Sequence, residues 1–286
     1  MSFVKHGIVI PYGISGEADS VGATMPVPVV RDGRVHCYYS GYYGGRYRVC
    51  LAVSEDGFHF KKMGVVLPEG AVGDADEVDC WLAGVCVSGG RVWAYYLASK
   101  SGVYRMFLAT SKDGVRFTRK GVVFERGAGA AYDANGLSVG WSAWRDGRVV
   151  LYHTGQRVST QRGALATSED GHRFTKIGVV LPVGASGEHD VTHAAYPCAY
   201  MHQGQWAILY SAETASGRRL ALATGEDGIH LLKHGVVVPL GASGESDDVR
   251  LAYGRSVWYA GRLFVYYAAY DGFREAIALA TSEDGF

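Results

Sequence analysis

The sequence predicts an all-β chain, a five-bladed β-propeller with four strands per blade. Three observations predict it. A glycine followed by a branched apolar pair stands at positions 7, 64, 121, 178 and 235, each 57 residues after the last. The stretch before it, Ser54-Glu55-Asp56-Gly57, returns as Ser111-Lys112-Asp113-Gly114, Ser168-Glu169-Asp170-Gly171 and Gly225-Glu226-Asp227-Gly228. A fixed period of this size marks a repeat architecture. The third observation is at the termini, which share one copy between them. Ser282-Glu283-Asp284-Gly285-Phe286 closes the sequence and Phe3 to Gly7 opens it, so that Phe286 stands for Phe58, Phe3 for Phe60 and Gly7 for Gly64. An open solenoid needs polar caps at its end units, whereas a ring can split one unit between its termini.

Each repeat yields four short strands. In the first, Val27–Val30 reads as strand A and Asp32-Gly33 as a hairpin turn, because Asp-Gly supplies the positive φ of a type I′ turn. Val35–Ser40 is strand B, a looser loop spans Gly41 to Gly45, and Tyr47–Val53 is strand C. Asp56-Gly57 turns the chain into strand D, expected to run through Phe60. The plan repeats at the A–B turns Gly90, Gly147, Gly204 and Gly261, and no segment carries the 3.6 period of an amphipathic helix. The whole chain, 1–286, reads as one domain, with blades near 12–67, 68–124, 125–181, 182–238, and 239–286 plus 1–11.

Composition narrows the function. The chain has 48% apolar residues, 40 Gly and 19 Tyr, and a formal net charge of zero with no run of Lys or Arg. Nucleic acid and anionic membranes are therefore not expected partners. No apolar run reaches the length of a membrane span, and the opening residues carry no signal-peptide apolar region, so a cytoplasmic location is expected. The five cysteines, 37, 50, 80, 86 and 198, fall at non-repeating positions and are expected to be buried free thiols.

A residue kept in every unit is explained by the unit. The Ser-x-Asp-Gly-x-x-Phe stretch is of that kind: its Ser and Asp tie their own turn and its aromatic packs between blades. The candidates for chemistry lie on the D-to-A connections and B–C loops, which share the face around a propeller's channel mouth. One column there is acidic throughout: Asp19, Asp76, Asp133, Asp190 and Asp247. Five converging carboxylates raise one another's pKa, so a partner is expected in Arg48, Arg105, Arg162 and Arg219, which Ala276 breaks in the last blade. Either the column is a structural tie or one or two of its members are recruited.

Three positions on, the units diverge to Gly22, Asp79, Gly136, His193 and Arg250, so that an acid, an imidazole and a guanidinium point toward a shared axis. Trp81, Trp141, Cys198 and Arg255 follow. A tryptophan there offers a stacking face or fills the core. The B–C column reads Tyr42, Ser99, Gln156, Glu213 and Tyr270, with Glu213 its one acid. His153 replaces a tyrosine kept as Tyr39, Tyr96, Tyr210 and Tyr267, and is either a satisfied core histidine or a catalytic one.

The Asp-Gly hairpin resembles the Asp-box of sialidases. Asp19 to Pro26-Val27-Pro28-Val29-Val30, Tyr38-Tyr39-Ser40-Gly41 and Leu51-Ala52-Val53-Ser54-Glu55-Asp56-Gly57 resemble the five-bladed propellers of glycoside hydrolase families 43, 32, 68 and 130. That resemblance covers the whole chain. It implies carboxylate chemistry on a glycoside, with Asp19 as base or nucleophile, Asp76 or Asp79 tuning it, and Glu213 as acid. It implies no required cofactor, and for some members a channel metal ion such as calcium, for which His193 is the candidate ligand here. Polymer-degrading insertions are absent, so a small ligand is expected.

The resulting reading is a glycosidase-like enzyme at the channel mouth. Its catalytic set is Asp19, Asp79, Glu213 and His153. Its binding set is Asp76, His193, Arg250, Arg255, Trp81, Trp141, Tyr42, Gln156 and Tyr270. Two alternatives stand beside it. One is non-hydrolytic chemistry, a lyase or cyclase, built on His153, His193, Arg250 and Asp79. The other is a sugar-binding module without catalysis.

Overall fold

A computed structural model describes residues 3–285, and Phe286 of the shared repeat lies outside them. These residues form twenty strands and no helix. The first antiparallel unit is β2 (Gly22–Arg31), β3 (Arg34–Tyr43), β4 (Arg46–Ser54) and β5 (Lys61–Leu67). The second is β6 (Val78–Ser88), β7 (Arg91–Lys100), β8 (Val103–Ser111) and β9 (Thr118–Phe124). The third is β10 (Gly136–Arg145), β11 (Arg148–Arg157), β12 (Thr160–Ser168) and β13 (Thr175–Leu181). The fourth is β14 (His193–His202), β15 (Gln205–Thr214), β16 (Gly217–Gly225) and β17 (Leu232–Val238). The last is β18 (Arg250–Tyr259), β19 (Arg262–Tyr270) and β20 (Glu275–Ser282).

Its fourth strand comes from the other end of the chain. β1 (Val4–Ile10) pairs antiparallel with β20, Lys5 opposite Ala280 and Gly7 opposite Leu279. The register matches the first unit, where Lys62 lies opposite Ala52 and Gly64 opposite Leu51. The innermost strands pack in succession, β2 on β6, β6 on β10, β10 on β14, β14 on β18, and β18 on β2. The apolar core lies between neighbouring units, for example where Tyr38, Val49 and Leu51 meet Leu82, Tyr96 and Phe107.

The repeated glycine now has a cause. Gly7, Gly64, Gly121, Gly178 and Gly235 all have positive φ, and each sits where the outer ladder shifts register. That backbone region is open to glycine and strained for other residues.

Element boundaries differ from the sequence reading in two places. Strand D begins after Phe60, because the Asp56 carboxylate accepts the N–H groups of Phe58 and His59, each at 2.8 Å, and holds them in the turn. The B–C loop is only Gly44-Gly45, both at positive φ, a two-residue hairpin.

The Asp-Gly turn is scaffold in every respect the structure shows. Ser54 Oγ accepts Gly57 N–H at 2.8 Å. The hydroxyls of Tyr38, Tyr95 and Tyr152 donate to the carbonyls of Gly114, Gly171 and Gly228 in the following unit. Tyr266 of the last unit donates likewise to Gly57 of the first. The five cysteines are buried and free.

Candidate functional site

The acidic column ties the turn before each inner strand to the outer strand. Asp19, Asp76, Asp133, Asp190 and Asp247 are all nearly inaccessible. Each pairs with a cation two residues before the repeated glycine: Lys62 at 2.7 Å, Arg119 at 2.8 Å, Lys176 at 2.5 Å, Lys233 at 2.6 Å and Lys5 at 2.8 Å. Tyrosine hydroxyls of the second strand donate to four of them, Tyr39 to Asp19, Tyr96 to Asp76, Tyr210 to Asp190 and Tyr267 to Asp247. The expected Arg48 column is not the partner. Arg48 pairs with Glu69 and Arg105 with Glu125. Asp247, in the unit where Ala276 breaks the arginine column, has both Lys5 and Tyr267.

The third unit keeps the tie in altered form. His153 stands in the tyrosine's place, fully buried, with Nε2 3.1 Å from the Tyr132 hydroxyl. Burial pushes its imidazole down to about 4, while Asp133 pulls upward and Lys176 downward.

Three columns meet at the opposite end of the strands from the Asp-Gly turns. The first opens the inner strand, with Gly22, Asp79, Gly136, His193 and Arg250. The second ends the next strand, with Tyr42, Ser99, Gln156, Glu213 and Tyr270. The third is opposite the second on the following strand: Tyr47, Tyr104, Gln161, Arg218 and Glu275. The third column escaped the sequence reading, which looked one residue further on, at Arg48 and its equivalents. Successive strand side chains point to opposite faces, so that step exchanged the mouth for the ion pairs beyond it. The signal was present in the divergence of position 47 across the units.

Between these columns lies a mouth cavity of about 390 Å³, where Trp81, Tyr47 and Tyr104 face Gln156, Gln161 and Tyr196. A second recess of about 310 Å³ adjoins it through Met25, Tyr47 and Tyr253, and carries Tyr42, Arg250 and Tyr270. Trp81 stands 5.3 Å from the Tyr47 ring and 5.0 Å from the Tyr104 ring. A larger cavity, about 570 Å³, opens at the other end of the strands, beside Asp56 and Asp113. Those carboxylates are occupied by their own turns.

Three carboxylates adjoin the mouth in different settings. Asp79 is 7% exposed and accepts from the Tyr104 hydroxyl at 2.7 Å and the Tyr47 N–H at 3.1 Å. No cation of the described residues forms an ion pair with it. Its φ is 63°, in the left-handed region. The Tyr104 phenol is pushed up to about 12, by burial first and by its bond to Asp79 next, so it stays a donor. Glu213 accepts from Arg218 Nε at 2.8 Å and faces His193 Nε2 at 3.8 Å. Burial lowers the His193 pKa, Glu213 opposes that, and Arg218 adds to it. His193 Nδ1 accepts the Gln161 N–H at 3.1 Å. Glu275 accepts from Arg250 at 2.7 Å, and that guanidinium lies 4.8 Å over Tyr270.

Of the expected residues, Trp81 and Gln156 line the mouth cavity and Tyr42, Arg250 and Tyr270 the adjoining recess, while Asp79 and His193 lie just behind them, bonded to the lining residues Tyr104, Tyr47 and Gln161, with Glu213 beside His193. It places Asp19, Asp76 and His153 in the ties. Trp141 packs between units against Tyr152 and Trp206. Arg255 is buried, with Nη1 on the carbonyls of Tyr196 and Gly254. Among the described residues no three His, Cys, Asp or Glu side chains cluster as metal ligands. With Arg218 on Glu213, the His193 neighbourhood does not fit a divalent cation.

No family model matches the chain. A sucrose-6-phosphate hydrolase from Bacillus subtilis is 25% identical over 189 residues, covering 60% of this chain and 35% of the relative. The chain thus matches about a third of that protein's length. A solved glycosyl hydrolase from Bacteroides ovatus superimposes with a TM-score of 0.74 at 17% identity, over 99% of this chain and 90% of that one. A β-1,2-mannobiose phosphorylase from Listeria innocua, solved with β-1,2-mannobiose, gives 0.76 at 15% identity, over 99% and 97%. These likenesses establish the fold as the propeller-like all-β architecture of glycoside hydrolases and phosphorylases.

Proposed function

We propose that this chain is a glycoside-processing enzyme whose five units are the blades of a ring closed by β1, with its active site at the mouth. The observation that carries the reading is Asp79. It is a nearly buried carboxylate held by a hydroxyl and an N–H, without a cation, on strained backbone beside an aromatic wall. Strain of this kind persists where surroundings enforce it, and it gathers at functional sites.

The surrounding groups suit a sugar. Trp81 and its tyrosine neighbours offer apolar faces to a ring. Gln156 and Gln161 offer amides that both donate and accept, as hydroxyls require. The cavity lies within the range of about 300–1,000 Å³ usual for small-ligand sites. Glycoside cleavage needs two carboxylates, one to deliver a proton and one to assist at the anomeric carbon. Asp79 and Glu213 take these roles, while Asp19 serves the scaffold as its four counterparts do. The reading requires no cofactor. The fold relationship to a phosphorylase makes phosphate a second possible acceptor, decided by experiment.

The test is an NMR time course with a panel of aryl and natural glycosides, β-1,2-mannobiose included, with and without inorganic phosphate. New anomeric signals with the wild type, and their loss in Asp79→Asn and Glu213→Gln, are expected. Dependence on phosphate reports phosphorolysis. Binding without turnover makes the chain a sugar-binding module, and neither binding nor turnover overturns the carbohydrate reading.

A further inference from the structure

Tyr196 and Tyr253 occupy equivalent positions in the fourth and fifth units, and both line the mouth. Both have φ of 56°, in the left-handed region that bulky residues avoid, as has Met25 (φ 51°) at the same bulge of the first unit. Built hydrogen bonds hold them there. Thr154 Oγ1 accepts the Tyr196 N–H at 2.7 Å, and Ser211 Oγ accepts the Tyr253 N–H at 3.2 Å. On the other side, Arg255 donates from Nη1 to the carbonyls of Tyr196 and Gly254, each at 2.9 Å.

Arg255 is the anomaly that this clamp explains. It is 1% exposed, and among the described residues no carboxylate pairs with it. The other units place Val27, Gly84, Trp141 and Cys198 at this position. A buried guanidinium without a counter-charge is costly. Its two bonds fall on the carbonyls of Tyr196 and of Gly254, the residue after Tyr253, and its Nε has no acceptor.

The tyrosine rings stand 4.4 Å apart, and Arg218 lies 5.0 Å over Tyr196. The Tyr196 hydroxyl donates to Gln161 Oε1 at 3.0 Å. Burial first, then the neighbouring Tyr196 and Glu275, hold the proton on Tyr253. The result is a pair of adjoining phenols, of which Tyr196 is bonded to Gln161. A phenol both donates and accepts, so its natural ligand is another hydroxyl. Arg218 and Arg250 are already matched by Glu213 and Glu275, which disfavours an anion here.

We propose that the Tyr196–Tyr253 pair is the hydroxyl-recognising floor of the mouth, and that Arg255 is the residue that positions it. The sugar hydroxyl as ligand rests on the glycoside reading; the positioning role does not.

The test uses full-length protein labelled with [¹³Cζ]tyrosine. Tyr196→Phe and Tyr253→Phe assign the two resonances. Arg255→Met is expected to move both toward the position of free tyrosine, with Arg255→Lys restoring part of the shift. If Arg255→Met does not fold, Arg255→Lys alone carries the comparison. Resonances that stay in place overturn the positioning role, whatever the glycoside panel gives. With the panel glycoside that the wild type turns over best, each Phe variant is expected to raise KM tenfold or more and leave kcat within threefold. Unchanged KM overturns the floor. A wild type that binds no glycoside overturns the sugar-hydroxyl assignment together with the glycoside reading, and the resonances still decide Arg255.

Discussion

The Tyr132 hydroxyl lies 3.1 Å from Nε2 of His153, and one unit later His189 and Tyr210 make the same bond at 3.0 Å with the residue types exchanged. His153 is therefore half of a compensated pair. The imidazole is fully buried and its pKa falls from 6.5 to about 4. The unfolded chain takes up that proton first as the pH drops, so folding weakens between about pH 6.5 and 4. The loss is about 3 kcal/mol across that window, at about 1.4 kcal/mol per unit. Urea unfolding at pH 7 and pH 4.5 measures it. Tyr132→His combined with His153→Tyr copies the fourth unit and moves the histidine to a half-buried position. That variant is expected to fold and to lose most of this acid sensitivity.

The Asp–cation ties make a second prediction. Removing one partner of a buried pair leaves an unpaired charge and costs about 3–5 kcal/mol. Lys62→Met and Lys233→Met are expected to destabilise by similar amounts in denaturant unfolding, because Asp19 and Asp190 each pair with a lysine and accept from a tyrosine hydroxyl. Asp19→Asn with Lys62→Met is expected to recover much of the loss. A far larger effect at Asp19 on activity than on stability would return it to the catalytic set.

The proposed closure of the ring by β1 makes a third. Without residues 1–11, β20 keeps β19 but loses β1 and exposes a bare edge. The truncated chain is expected to lose cooperative unfolding and to aggregate. A peptide of residues 1–11 added in trans is expected to restore part of the native circular dichroism by adding a strand.

The aromatic wall makes a fourth. Trp81→Ala removes the ring held between Tyr47 and Tyr104. KM is expected to rise about tenfold, in line with roughly 1–1.5 kcal/mol for an aromatic contact beyond its area. Steady-state kinetics on the panel glycoside checks it.

Much of this architecture was legible because it is local. The Asp56-Gly57 turn and the bulge at Gly64 depend on residues a few positions apart, and they recur at a fixed spacing. The tie between Asp19 and Lys62 spans 43 positions and three intervening strands, so the nearer Arg48 drew the pairing. Aligning Lys5, Lys62, Arg119, Lys176 and Lys233 at the same period would have exposed it. Asp79 and His193 were found because their column diverges while the scaffold does not. Tyr196 and Tyr253 were missed because a left-handed backbone leaves no mark on the identity of a tyrosine. Trp141 and Arg255 share a column that faces the packing between units, which spacing alone does not distinguish from the mouth.

The most direct measurement compares Asp79→Asn with the wild type on the best glycoside of the panel, with binding and turnover measured separately. Asparagine keeps the shape and can still accept from Tyr104, but it cannot take or deliver the proton. Binding within severalfold of wild type and turnover lower by about 10²–10⁴, the usual range for losing an acid–base group, is the predicted result. Asp79→Asn turnover equal to that of the wild type would contradict the placement of the chemistry at this mouth.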